Sequence, residues 1–177
     1  AAAMGRNRYG YLFFFWLAAG VGISTAAANR LFLSGIINYQ ALYEAVSQGW
    51  QEAVPGWGAG SVRTLAIRLL ETAVLAFLCR GRFWQLGTAA FLFVAGLSAG
   101  TALAVFTWCR GVFGLICFWG AGFPHMLCYG AVWGLFLTRA AWGGGVRRSR
   151  FWGLAAALFL AGVLGELWIN PLFLACL

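Results

Sequence analysis

The sequence predicts an all-α membrane protein: a bundle of five transmembrane helices with one amphipathic helix lying at the outer interface. Three observations predict it. Five apolar runs of about 20 residues can each cross a hydrocarbon core of roughly 30 Å, at about 1.5 Å rise per residue. Hydrophobic side chains make up 63% of the 177 residues and charged ones 9%, against about 25% charged in a soluble domain. The 25 glycines fit the same class, because small residues let helices approach closely in lipid. Residues 9–177 therefore read as one five-span domain. Residues 1–8 read as a short cytoplasmic segment in which Ala1–Ala3, ahead of Met4, are a cloning scar.

The first span covers Tyr9 to Ala28 and closes at Asn29-Arg30. It is too long for a signal-peptide core and lacks a polar cleavage region, so it reads as a retained signal anchor. A connector follows at 31–61. The second span covers Arg63 to Cys79 and stops at Arg80-Gly81-Arg82. The third covers Phe83 to Trp108 and stops at Arg110. The fourth covers Gly111 to Leu137 and stops at Arg139. After three glycines and the basic Arg147-Arg148-Ser149-Arg150, the fifth covers Phe151 to Pro171.

The net charge is +8 and the pI is about 10.0. All twelve basic residues are arginine and most flank the apolar runs, which marks topology rather than nucleic-acid binding. With the N-terminus inside, the inner side holds Arg6, Arg8, Arg80, Arg82, Arg139, Arg147, Arg148 and Arg150. The outer side holds only Arg30, Arg63 and Arg110. The bias places the N-terminus in the cytoplasm and, across five spans, the C-terminus outside a bacterial cytoplasmic membrane.

Within the outer connector, Tyr39, Leu42, Tyr43, Val46, Trp50 and Ala53 recur at helical spacing, and Asn38, Glu44, Ser47, Gln48, Gln51 and Glu52 fall opposite them. Pro55-Gly56 ends the pattern. Two glutamates and no arginine argue against attraction to anionic lipid. Either this helix packs down on the bundle, or it offers a docking surface through Tyr39, Tyr43, Glu44, Trp50 and Glu52.

Four ionisable groups fall at membrane depth: Arg68, Glu71, His125 and Glu166. A buried charge needs a partner. Arg68 and Glu71 are spaced i, i+3 and share a helix face. Arg68 and Glu166 both lie about one turn from the outer end of their spans, so their depths match. The expectation is that Arg68 pairs with Glu71, Glu166 or both. The alternative is that Arg68 snorkels outward and leaves Glu71 alone inside. His125 follows Pro124, which should kink the fourth span. With no second histidine, His125 reads as hydrogen-bonded structure, and neither a metal nor a cofactor is expected. Cys79, Cys109, Cys117, Cys128 and Cys176 are scattered and read as small hydrophobes.

Gly96-Leu97-Ser98-Ala99-Gly100 matches the pattern of a serine-nucleophile elbow, and Ser98 with His125 forms a dyad on paper. That elbow belongs between a strand and a helix, whereas this segment sits inside an apolar run. Gly96 and Gly100 at small-xxx-small spacing read better as a helix-packing face. Asn170-Pro171 closes the fifth span, with proline ending the helix and asparagine capping a freed carbonyl.

In this order, these segments resemble the stage II sporulation protein M family of bacterial polytopic membrane proteins. The resemblance rests on Gly96-Leu97-Ser98-Ala99-Gly100, on Phe123-Pro124-His125 after Arg110-Gly111, and on Glu166-Leu167-Trp168-Ile169-Asn170-Pro171. It covers the chain from Thr64 onward. Some relatives carry a glutamate after Pro-His, where this chain has Tyr129 or Gly130. The resemblance implies a scaffold rather than an enzyme. Such a scaffold recruits extracytoplasmic peptidoglycan hydrolases to the septal membrane during engulfment in sporulation. Wider relatives occur beside transporter components, which keeps open a permease-like or channel-forming subunit. The lipid bilayer is a partner in either case, and a homo-oligomer stays open.

Overall fold

The computed structural model describes residues 2–51, 59–142 and 148–169, and over these it is helical, with no strand among the described residues. The elements are α1 (Ala2–Leu33), α2 (Tyr39–Gln51), α3 (Ala59–Leu78), α4 (Trp84–Arg110), α5 (Val112–Trp142) and α6 (Arg148–Leu164). A single π-helical turn, Gly165–Ile169, continues α6. Glu52, Asn170 and Pro171 lie outside the described residues, as do Cys176 and the side chains of Trp50 and Pro124.

Of the five expected spans, two are long and apolar enough to cross a membrane among the described residues: Trp84–Arg110 and Ser149–Ile169. A third joins them if Val112–Gly120 and His125–Ala141, set at 59° to each other, form one broken span. The break falls where Pro124 was expected to kink the helix, since proline frees the carbonyl one turn earlier. α3 differs because Arg63, Arg68 and Glu71 all fall within its 20 residues. α1 also runs past the expected Asn29-Arg30 stop. It ends at Leu33, followed by Gly35 at φ +69°, so Arg30 lies in its last helical turn.

α1 and α4 make the most extensive helix pair in the molecule. The reason is a stripe of small residues on each. A Cβ added at Gly96 would fall on the Leu17 carbonyl, and one added at Gly20 on the Phe93 carbonyl. A Cβ at Gly100 would strike Ser24 and the Val21 carbonyl. The Thr25 hydroxyl donates to the Gly100 carbonyl across this seam at 3.1 Å. Ser98 is exposed on α4, off this seam.

The turn from α4 to α5 is a single residue. Gly111 takes φ +58°, and its N–H donates to the Thr107 carbonyl at 2.8 Å. That left-handed conformation favours glycine. Three residues later Gly114 passes so close to the Phe106 carbonyl that no side chain fits.

α2 packs down on the bundle. Tyr39 meets Phe32 and Trp108 with ring centroids 6.1 and 5.6 Å away, and Tyr43 meets Phe106 at 5.4 Å. Trp108 Nε1 donates to Asn29 Oδ1 at 2.7 Å beneath this aromatic cap. Tyr39 and Tyr43 are therefore half-covered, and Gln40, Ala41, Glu44 and Ala45 form the outward face. Asn29→Ala is expected to cost about 1 kcal/mol by stranding the indole N–H. Asn29→Ala combined with Trp108→Phe should recover part of that cost. Chemical denaturation in detergent, followed by far-UV circular dichroism, checks both.

The connections sort the chain into two ends. Phe13 of α1 meets Trp84 of α4 at 6.0 Å, and Phe136 of α5 meets Phe151 of α6 at 5.3 Å. This end carries Arg80, Arg82, Arg139 and Arg150. α2, Arg30, Arg63 and Arg110 lie toward the other.

Candidate functional site

The site is built on three helices. Arg68 of α3 reaches Glu166 of the π-helical turn through two parallel hydrogen bonds. Nε donates to Oε2 at 2.8 Å and Nη2 to Oε1 at 2.6 Å. Its remaining arm, Nη1, donates to Glu71 Oε2 at 2.9 Å. The fork of a guanidinium matches a carboxylate in this side-on arrangement, which is stronger and more directional than a point-charge contact. Thr72, one turn along, donates its hydroxyl to the Arg68 carbonyl at 2.9 Å.

α5 supplies the third wall. The Tyr129 hydroxyl donates to Glu166 Oε2 at 3.0 Å, and the Arg68 guanidinium carbon lies 5.1 Å from the centre of the Tyr129 ring. Tyr129 thus binds the acid through its hydroxyl and the base through its ring face. His125 lies one turn before Tyr129. It is 5% exposed, its ring centroid is 6.0 Å from that of Tyr129, and it sits against Gly165.

Backbone geometry explains how Glu166 reaches inward. A π-helical turn adds one residue to a turn and re-aims the side chains that follow it. Over Gly165–Ile169, Gly165 and Leu167 are buried while Trp168 and Ile169 face outward.

The four ionisable residues expected at membrane depth fall in one neighbourhood, and Arg68 takes both carboxylates rather than snorkelling away. Sequence reasoning missed Tyr129 as a member of the cluster. The signal was its position four residues after His125, which puts both on one face of α5. The Ser98–His125 pairing has no geometric basis, because Ser98 is exposed on α4 while His125 is buried on α5. Gly96 and Gly100 are used instead against α1.

Chemically the cluster is a clamp. α3 packs least closely of the long helices, touching α4, α5 and α6 only lightly. Ile67, Leu69, Leu70, Val74 and Phe77 on α3 are exposed. The clamp is a directional tie between α3 and the α5–α6 pair. Among the described residues no three His, Cys, Asp or Glu side chains converge as metal ligands. Tyr129→Phe is expected to cost about 1 kcal/mol, because the ring contact to Arg68 and the Arg68–Glu166 pair both survive. Detergent unfolding of the variant beside wild type reads this directly.

No family model, curated protein or solved structure matches the chain.

Proposed function

We propose that the chain is an integral-membrane scaffold that recruits extracytoplasmic peptidoglycan hydrolases, and that it is not an enzyme. In this reading α1, α3, α4, α5 and α6 all span the bilayer, with the N-terminus inside and the C-terminus outside. At about 1.5 Å per residue, the 20 residues of α3 reach across a hydrocarbon core of roughly 30 Å. The internal pairing of Arg68 with Glu71 and Glu166 lowers the cost of carrying those charges there.

The observation that carries the reading is how the polar groups are used. The charges at depth are engaged with one another in a structural clamp, and α2 lies across the end of the bundle with its aromatic face down and Glu44 outward. Residues in that pattern hold a shape and present a surface. The resemblance of the motif order to the stage II sporulation protein M family supports the same reading and is what suggests the class of partner.

The test is a crosslinking pulldown from native membranes with a photoreactive residue at Ala41 or Glu44. These positions face outward, whereas a probe at Tyr43 would label Phe106. Recovery of a cell-wall hydrolase supports the scaffold. Recovery of only a transporter ATPase or permease overturns it in favour of a transport subunit. In that case neutralising Glu71 should abolish flux while leaving the fold intact.

A further inference from the structure

At the arginine-rich end of the bundle, the C-terminal ends of α3 and α5 meet the start of α6 around a pocket of about 320 Å³. Its walls include Arg80, Arg139, Phe136, Phe151, Trp152 and Ala76. The volume falls at the small end of the range for ligand pockets, about 300–1,000 Å³.

Three features define what the pocket would take. First, Arg139 Nη1 is buried and has no hydrogen-bond partner among the described residues. A charged donor left this way is costly unless something supplies an acceptor. The guanidinium is nevertheless held in place, with its central carbon 4.6 Å from the centre of the Phe151 ring. Stacking fixes the plane of the fork and leaves its edge for an anion. Second, Arg80 adds another positive charge, and no carboxylate lines the pocket. The chain has four acidic residues in all: Glu71 and Glu166 are held by Arg68, Glu44 is on α2, and Glu52 lies outside the described residues. Among the described residues no carboxylate is placed to serve Arg139, which leaves room for an anion from another molecule. Third, the walls beside the arginines are apolar: Phe136 and Phe151 are buried, and Trp152 is 45% exposed. A free inorganic anion has no use for such a wall, whereas a lipid with acyl chains does.

The geometry points to a site for the phosphate of an anionic phospholipid, gripped by Arg139 and Arg80 with its glycerol and upper acyl carbons against Trp152. Arginine forks bind phosphate bidentately, and basic pockets between helix ends are where anionic head groups settle.

The test uses the full chain in neutral detergent and native mass spectrometry, with phosphatidylglycerol and phosphatidylcholine at equal concentration. Wild type should retain phosphatidylglycerol in preference. Arg139→Gln should weaken that retention about tenfold, the loss of a charge-assisted hydrogen bond. Arg80→Gln should weaken it about threefold, as suits a more exposed contact. Arg82→Gln, exposed at the same end but not part of the pocket wall, should change nothing. Equal retention of the two lipids overturns the proposal, and so does equal loss in Arg82→Gln and Arg139→Gln, which would mean diffuse charge attraction. Inorganic phosphate is run as a competitor. If it displaces the lipid in an Arg139-dependent way, the site is for free phosphate and the lipid assignment fails. If Arg139→Gln does not fold, Arg80→Gln decides alone, and unchanged retention there overturns the proposal.

Discussion

Glu166→Gln is expected to lower folding stability by about 2–3 kcal/mol, the loss of two charge-assisted hydrogen bonds from a partly buried ion pair. Glutamine keeps the shape and the hydrogen-bond acceptor but removes the charge, so the guanidinium of Arg68 faces a neutral amide where it had a side-on carboxylate. Glu71 does not compensate, because it already accepts from Nη1. It is also the more exposed acid, its side chain 36% accessible against 14% for Glu166. The conjugate experiment removes all three charges together, as Arg68→Met with Glu71→Gln and Glu166→Gln. That variant should be no more destabilised than Glu166→Gln alone, since replacing a whole ion-pair network by neutral side chains is often close to neutral. Chemical denaturation in detergent gives both numbers. If Glu166→Gln unfolds at the wild-type midpoint, the clamp contributes nothing and α3 is held by something else.

The second large effect is at the α1–α4 seam. Gly96→Leu is expected to separate the two helices and cost at least the roughly 1–3 kcal/mol typical of overpacking. The upper end applies because the obstacle is the backbone carbonyl of Leu17 rather than a side chain that could swing aside. Gly20→Leu meets the Phe93 carbonyl and should behave alike. The control is Gly22→Ala: nothing lies within 4 Å of a Cβ there. Alanine in place of a helical glycine should leave stability unchanged or raise it by about 0.5–1 kcal/mol. Equal effects at Gly96 and Gly22 would remove the seam as an explanation for the glycines.

Much of this was legible in the residues, for identifiable reasons. Arg68 and Glu166 could be paired from sequence because charges at membrane depth are rare and their distance from a span end is countable. Tyr129 could not, because a tyrosine in an apolar helix is ordinary until a neighbouring backbone brings a carboxylate to its hydroxyl. That neighbour is the π-helical turn at Gly165–Ile169, and no simple periodicity encodes an extra residue in a turn. Gly96 and Gly100 announced a packing face, but which helix would fill it is a tertiary fact. Gly20 and Ser24 carried the matching spacing in plain view on α1. The connector showed the converse. Its periodicity marked one apolar face correctly, yet the same aromatic side chains suit both docking and packing, and only the positions of Phe32, Phe106 and Trp108 separate the two.

The α1–α4 seam also has a consequence for time. Its two stripes begin at Gly20 and Gly96, so the partner of α1 is made 76 residues later. At about 5–20 residues per second, a ribosome leaves α1 waiting roughly 4–15 s. During that interval its glycine stripe is without its partner; α2 can already set Tyr39 against Phe32, but its contacts with Phe106 and Trp108 must wait. The bundle is therefore organised late in synthesis, by its fourth helix, and a chain that stops short of α4 is one whose first helix lacks the partner its glycine stripe fits.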